Sequence, residues 1–433
     1  MGDLSNFQEC REYLYALRNR GSRLGLDRMR LFVEALDYPQ FDFPVIHVAG
    51  TNGKGSTCAI LESIFRYAGY RTGMFTSPHL VFLGERIQCN RIPLTPDQMV
   101  AYTRELRSVA ATLAQNCQEQ HPTFFELMTA MAFLHFSRSK VEIGIFETGL
   151  GGRLDSTNVV DPLVSIITSI GMDHMQQLGN TLAAIAGEKA GIIKPGKPVV
   201  IGDLPSEADV TIARIAEERG CKLLRLTDTY GYAEDNLPHT ALGGVYQRKN
   251  AGVASIAVDL LQGAFPKLTK RAVDHGLQTV RWAARWQSIA LASGHSLILD
   301  ATHNAEGAAQ LHINLQQLRE QTGCKPIVLV GVVGQERAES LLPVVAEHAA
   351  EIIVLVPNQP RACSFQEVRA QIPTYFAGTV RQGSVAALFP AVGTCSLSTP
   401  AYLVATGSIY LMGEILERIT QGTLSTDALQ DQI

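Results

Sequence analysis

Apolar, β-branched runs alternate along this chain with longer stretches in which apolar residues recur at three- and four-residue spacing. That alternation predicts βαβ units around a parallel sheet. The runs at 44–48, 141–148, 164–169 and 198–201 read as strands, and 57–67, 95–114, 124–137 and 182–193 as amphipathic helices. The pattern restarts in the last third, where 296–300, 326–333, 352–356 and 401–405 are strand-like and helix-period segments separate them. The expected fold class is therefore α/β, with a three-layer first domain over 1–287 built on a parallel sheet and a smaller α/β domain over 288–433. Segment 281–293 is neither proline- nor glycine-rich, so this division rests on the restart of the pattern alone.

Composition removes several classes of function. The 433 residues are 46% hydrophobic and 18% charged, as in ordinary globular chains. The net charge of -4 leaves no global basic field to gather nucleic acid or an anionic membrane surface. The eight cysteines are scattered without a CxxC pair, which reads as reduced thiols rather than a disulfide framework. The first twenty residues lack an apolar core, and no apolar run approaches the ~20 residues of a spanning helix. A cytoplasmic monomer that binds neither nucleic acid nor membrane is expected.

Strand 44–48 runs into Gly50-Thr51-Asn52-Gly53-Lys54-Gly55-Ser56, and the helix period follows from Thr57. Glycines let backbone N–H groups close around phosphate oxygens, the helix N-terminus adds partial positive charge, and Lys54 adds a point charge. The string alone would also suit a glycine-rich turn with a solvated lysine; its place between strand and helix favours an ATP-type phosphate loop (P-loop). Gly55 stands where the common GxxxxGK[ST] form has its first hydroxyl, which moves the hydroxyl to Ser56.

Two later strand ends carry polar residues. Glu147 closes IGIFE, and Asp173 and His174 follow VSIITSI. In doubly wound sheets ligands sit at the carboxyl ends of strands, so both can converge on the phosphate loop. A carboxylate there suits magnesium, which prefers oxygen ligands; His174 is the odd member and taken alone reads as a satisfied structural histidine. Glu188 and Lys189 taken alone read as a solvated helix end.

The strings GTNGKGS at 50–56, TSPHL at 76–80, ETGLGGRLDSTN at 147–158, GMDH at 171–174, EKAGIIK at 188–194 and DATHN at 300–304 together resemble the folylpolyglutamate synthase and dihydrofolate synthase family, a branch of the Mur-type ATP-dependent amide ligases. The matches run in family order over residues 24 to 413. The resemblance implies a Mur ligase-like fold with ATP and Mg²⁺ as cofactors, and dihydropteroate or a reduced folate and L-glutamate as substrates. It implies that Asn52, Gly53, Lys54, Gly55 and Ser56 hold the ATP phosphates, and that Asn250, Arg285 and Asp300 contact the nucleotide. Ser77, Glu147 and His174 would coordinate magnesium, and Lys189 matches the lysine that the family carbamylates, turning a cation into a carboxylate that can help hold a second metal. The pterin-bearing substrate would lie against Gly25, Leu26, Thr123, Phe124, Leu154, Asp155 and Ser156. His303 and Ser408 would face the phosphates or the incoming glutamate, with Lys54, Lys189 and His303 as the catalytic set. Read singly, Ser77 also suits a turn, Phe124 a core and Ser408 a helix cap. The chain departs from the family pattern at Ala283 and Ala284, where proline and glycine are usual, and at Gly334-Gln335-Glu336-Arg337, where an acidic string is usual.

Such a ligase would turn a carboxylate into an acyl phosphate that the amine of glutamate then attacks. A guanine-specific switch would want an NKxD string, and the chain has no Asn-Lys dipeptide. A nucleotide-binding scaffold and a Mur-type ligase for a different carboxylate are the remaining alternatives; GGRLDSTN favours folate. The GGRLDSTN and 24–28 strings resemble the bacterial bifunctional type, which both makes dihydrofolate and extends the glutamate tail.

Overall fold

The computed structural model describes residues 4–18, 25–115, 117–399 and 401–420. Leu24, where the family strings begin, and the end of the second domain from 421 onward lie outside the described residues. The first sheet contains β1 (Val45–Ala49), β2 (Thr72–Phe75), β3 (Ile87–Cys89), β4 (Ile92–Pro93), β5 (Ile143–Glu147), β6 (Val164–Ile167), β7 (Val199–Ile201) and β8 (Leu223–Arg225). Its order is β4-β3-β2-β5-β1-β6-β7-β8, parallel from β2 to β8, with β3 and β4 added as an antiparallel edge. The second sheet contains β9 (Gln287–Ala290), β10 (Ser296–Leu299), β11 (Ile327–Val330), β12 (Glu351–Leu355), β13 (Thr379–Gly383) and β14 (Tyr402–Thr406), in the order β13-β12-β11-β14-β10-β9. Only β9 runs antiparallel there.

Both sheets are covered on two faces, which is why their central strands are buried throughout and mostly apolar, with His47 and Ser165 as enclosed exceptions. Along β1, Ile46 and Val48 enter one core with the helices Lys54–Tyr67 and Tyr246–Leu261, whereas Val45 enters another with Phe124–Arg138 and Pro96–Leu113. The second sheet divides the same way: Leu297, Leu299 and Leu403 face one core, and Ile298, Val328 and Val404 the other. Side chains alternate across a strand, so a run apolar at every position needs a packed layer on each side.

Several predicted boundaries move. The helix expected from Thr57 begins at Lys54, because Gly53, with φ of 84°, turns the chain directly into it. The helix expected to reach Ile193 stops at Ala190, capped at Gly191. Val141 belongs to the turn closing the preceding helix, where its N–H donates to Phe136 O at 3.1 Å and Lys140 takes a positive φ. Among the described residues no helix is long and apolar enough to cross a membrane.

Candidate active site

Strands β5, β1 and β6 are neighbours, so the loops leaving their carboxyl ends meet. A cleft of about 450 Å³ opens there and is closed from the other side by the segment following β10. All the expected site residues line it except Leu26. Gly25 reaches the cleft, but Leu26 already has helical backbone angles (φ -99°, ψ -10°) at the start of the helix Asp27–Glu34 and does not.

Sterics dictate the phosphate loop. Gly50 has φ of 152°, and a Cβ there would stand 1.9 Å from Thr168 Oγ1; at Gly53 it would stand 2.4 Å from Asn250 Oδ1. The turn is tied to the continuation of β6: Thr51 N donates to Ser169 O at 2.8 Å, Thr168 Oγ1 to Asn52 O at 2.6 Å, and Gly171 N to Thr51 Oγ1 at 2.9 Å. Lys54 Nζ lies over the loop, donating to Gly50 O at 3.0 Å and Thr51 O at 3.2 Å. Ser56 is buried, and its hydroxyl accepts from Gln247 Nε2 at 3.2 Å; Gln247 in turn accepts from Asn250 Nδ2 at 2.9 Å.

Glu147 is buried at the end of β5, and its Oε2 accepts from Ser77 N at 3.1 Å. Burial raises its pKa, and Lys54 pulls in the opposite direction. Carboxylate and hydroxyl oxygens from Glu147 and Ser77 are a donor set suited to a hard divalent cation. His174, with φ of 51°, stands at the start of the short helix Met175–Leu178, its pKa lowered by burial against the opposing pull of Asp173.

Lys189 overturns the solvated reading of its string. It is 5% exposed, and its Nζ donates to Gly50 O at 2.9 Å. Burial, with Lys54 adding to it, lowers its pKa to about 7. Near neutral pH a large share of this amine is therefore uncharged and nucleophilic.

Asp155 is buried where four donors meet: Gly149 N and Leu150 N at 2.8 Å, Thr157 N at 3.0 Å and the Thr157 hydroxyl. Thr123 caps the helix Phe124–Arg138 in a capping box with Glu126. Phe124 is both core and wall: it packs in the cluster below, lines the cleft and carries the Arg86 guanidinium 5.4 Å from its ring centre. Ser156 Oγ and Thr129 Oγ1 share a hydrogen bond of 2.8 Å. Ser408 likewise serves twice, accepting from Leu411 N at 3.2 Å at the start of the last helix while lining the cleft.

The second domain brings Asp300, whose Oδ1 accepts from Thr302 N at 3.0 Å and whose Oδ2 accepts from Tyr246 OH at 3.3 Å. Burial lowers the pKa of His303 to about 4, so the ring is neutral; its Nδ1 lies 2.8 Å from Ala301 O, which can only accept, leaving Nε2 unprotonated. Asn304, Glu306, Tyr246 and Arg337 also line the cleft and were not among the expected site residues. Asn304 had a signal, an asparagine in N-cap position before a helix-period run. Glu306 and Arg337 had none, since their place depends on how the domains dock. Elsewhere in the second domain, His312, Glu347 and His348 bring three ligand-type atoms within 4.8 Å of one another. The two imidazoles there are hydrogen-bonded at 3.0 Å, and burial, opposed by Glu347 and aided by His312, Lys325 and Arg319, works against positive charge on His348.

Residues 48–254 match the family model of the Mur ligase middle domain. The chain is 39% identical over 332 residues to the dihydrofolate synthase/folylpolyglutamate synthase of Bacillus subtilis, covering 72% of this chain and 76% of that protein. Its fold is similar to the crystal structure of folylpolyglutamate synthase from Thermotoga maritima, with a TM-score of 0.82 and 28% identity over 97% of this chain and 98% of that one. It is also similar to Escherichia coli FolC solved with DHPP and ADP, with a TM-score of 0.80 and 27% identity over 96% and 98%.

Proposed function

Since this chain belongs to the folylpolyglutamate synthase and dihydrofolate synthase family of Mur-type ligases, we propose that it joins L-glutamate to both dihydropteroate and reduced folates at the expense of ATP, working as a cytoplasmic monomer. The observation that carries this reading is the meeting, in one cleft, of a glycine-built phosphate loop with Glu147, His174 and a buried, poorly charged Lys189 on one side and Asp300 and His303 on the other.

A carboxylate and an amine do not condense in water, so the carboxylate must first be given a good leaving group. Lys54 and the loop hold the ATP phosphates, while Asn250, Arg285 and Asp300 hold the rest of the nucleotide. A substrate carboxylate oxygen attacks the γ-phosphorus, ADP leaves, and an acyl phosphate remains. Magnesium, held by Glu147, Ser77 and His174, would supply charge neutralisation on the transferring phosphoryl group. Glutamate nitrogen then attacks the acyl carbon, and phosphate departs with the former carboxylate oxygen. The amine gives up a proton, which the unprotonated Nε2 of His303 is able to take. Lys189, as its neutral amine, adds CO₂ and releases one proton to become a carbamate, which would place an anion beside the metal position. The pterin-bearing substrate lies along Gly25, Thr123, Phe124 and Leu154 to Ser156. The eight free cysteines suit a reducing compartment.

ADP release measured with dihydropteroate and with a reduced folate, each in the presence and absence of glutamate, tests the reading. Release should require glutamate and one of the two carboxylates. Equal ATPase rates with and without them would overturn it, and turnover of one carboxylate alone would remove the bifunctional part.

A further inference from the structure

Asn52 belongs to the phosphate loop by sequence, yet its side chain is committed elsewhere. Its amide nitrogen donates to Asn304 Oδ1 at 3.2 Å and to Glu306 Oε2 at 2.8 Å, and its amide oxygen accepts from Asn304 Nδ2 at 3.1 Å. Two donors and one acceptor are thus engaged by the second domain, and the backbone N–H of Asn52 is taken by Ser169 Oγ at 3.0 Å. Glu306 Oε2 also accepts from Ser169 Oγ at 3.4 Å, and Asn304 Nδ2 reaches Asp173 Oδ2 at 3.3 Å. The approach is close enough to need a glycine opposite: a Cβ on Gly171 would stand 2.7 Å from Glu306 Oε2. Asn304 is itself fixed, since its Oδ1 caps the helix Ala305–Thr322 through Gly307 N at 2.9 Å.

We infer that Asn52, Asn304 and Glu306 form a clasp that holds the second domain closed on the phosphate loop, with Glu306 as a positioning residue for the reaction. The hydrogen bonds join residues about 250 positions apart in sequence, so they exist only when the domains are docked. They grip the residue between Gly50 and Gly53 of the loop, where a shift of about 1 Å can cost about a hundredfold in rate. Glu306 contributes a carboxylate to a site that must hold phosphates, which is costly unless the group has a task there. Its oxygen needs only to accept, so an amide can replace it.

The catalytic half of this inference rests on the ligase reading; the structural half does not. Hydrogen exchange of the full chain with a non-hydrolysable ATP analogue reports on peptides covering 50–56 and 303–310 without any turnover. In Glu306→Ala both peptides, on different domains, should lose protection, and kcat should fall about tenfold to a hundredfold with little change in the KM for folate. Glu306→Gln should restore protection. Asn52→Asp removes both donors and sets two carboxylates together, so it should be worse than Asn52→Ala. Combining Asn52→Asp with Glu306→Gln should recover protection, because the glutamine amide can then donate to the aspartate. Loss of protection confined to 303–310, or no recovery in that double variant, would overturn the clasp. An inactive wild type with the expected exchange pattern would instead overturn the ligase reading and leave the clasp standing.

Discussion

The two corners that face each other across the cleft are built alike and work differently. Each is a strand, a short turn and a helix: β1, Gly50 to Gly53 and the helix Lys54–Tyr67 on one side; β10, Asp300 to Asn304 and the helix Ala305–Thr322 on the other. In the first, glycines at positive φ bring backbone close to the ligand space, no side chain caps the helix, and Lys54 and Lys189 both converge on Gly50 O. In the second, glycine is absent, the helix is capped by Asn304, and the turn is held by Asp300 through Thr302. A corner that leaves its helix entry without a side-chain cap is made for an anion. A corner that caps its helix internally is left to offer side chains.

The comparison breaks most completely at the carboxylate beside the first corner. Glu147→Ala should lower kcat about a thousandfold, since it removes the buried formal charge assigned to the metal. Ser56→Ala should cost no more than about tenfold, because the Ser56 hydroxyl is already held by Gln247. Steady-state kinetics on both variants checks this, and equal losses would mean that the metal shell is misplaced. Next in size is Lys189→Ala, expected to lose about a hundredfold in kcat while ATP still binds through the loop. Lys189→Arg should not restore the rate, since a guanidinium cannot take up CO₂. Full activity in that variant would withdraw the carbamate.

Much of the first corner was legible in the sequence and less of the second. Strands with layers on both faces are apolar at nearly every position and stand out; the edges do not. Leu223–Arg225, Gln287–Ala290 and Thr379–Gly383 carry polar residues because each has one open side. Strand β2 is interior but short, and Gly73 interrupts its apolar run where the Phe136 ring packs against it. Chemistry at strand ends was readable because a carboxylate closing an apolar run has no packing reason to be there. The burial of Lys189 was not readable from its neighbours: Glu188 and Lys189 are adjacent, yet one pairs with Arg153 at the surface and the other turns under the loop. Glu306 and Arg337 depend on domain docking, which no local pattern encodes.

Positive charge gathered at the first corner also sets a pH dependence of stability. Lys189 titrates near 7 in the folded chain and near 10.4 when unfolded, so its charged form is disfavoured by folding. Below pH 7 that penalty is fully present. Between about pH 7 and 10.5 the unfolded chain binds more protons, and stability rises with pH by on the order of a few kcal/mol. Lys194, five residues on, is lowered by burial to about 8 and adds a smaller rise over a narrower window. Denaturant midpoints across this range should therefore climb less in Lys189→Met than in wild type, and by an intermediate amount in Lys194→Met. Parallel curves for Lys189→Met and wild type would mean that the Lys189 amine is not held in its neutral form.

The smallest effect separates the two tasks of the second corner. Asn304 caps its helix with Oδ1, which also accepts from Asn52 Nδ2, and donates to Asn52 with its own Nδ2, so substitution can remove the donor while keeping the cap. Alanine removes both and should lower stability by about 1 kcal/mol, the usual worth of an N-cap. Aspartate keeps the cap acceptor and suits the positive end of the helix, but it cannot donate to Asn52 or Asp173 and faces the carboxylates of Asp173 and Glu306. Asn304→Asp should therefore melt closer to wild type than Asn304→Ala, while its kcat falls at least as far. If thermal stability and kcat instead moved together through both variants, the capping bond would account for everything at this position, and the second corner would differ from the first only in how it ends a strand.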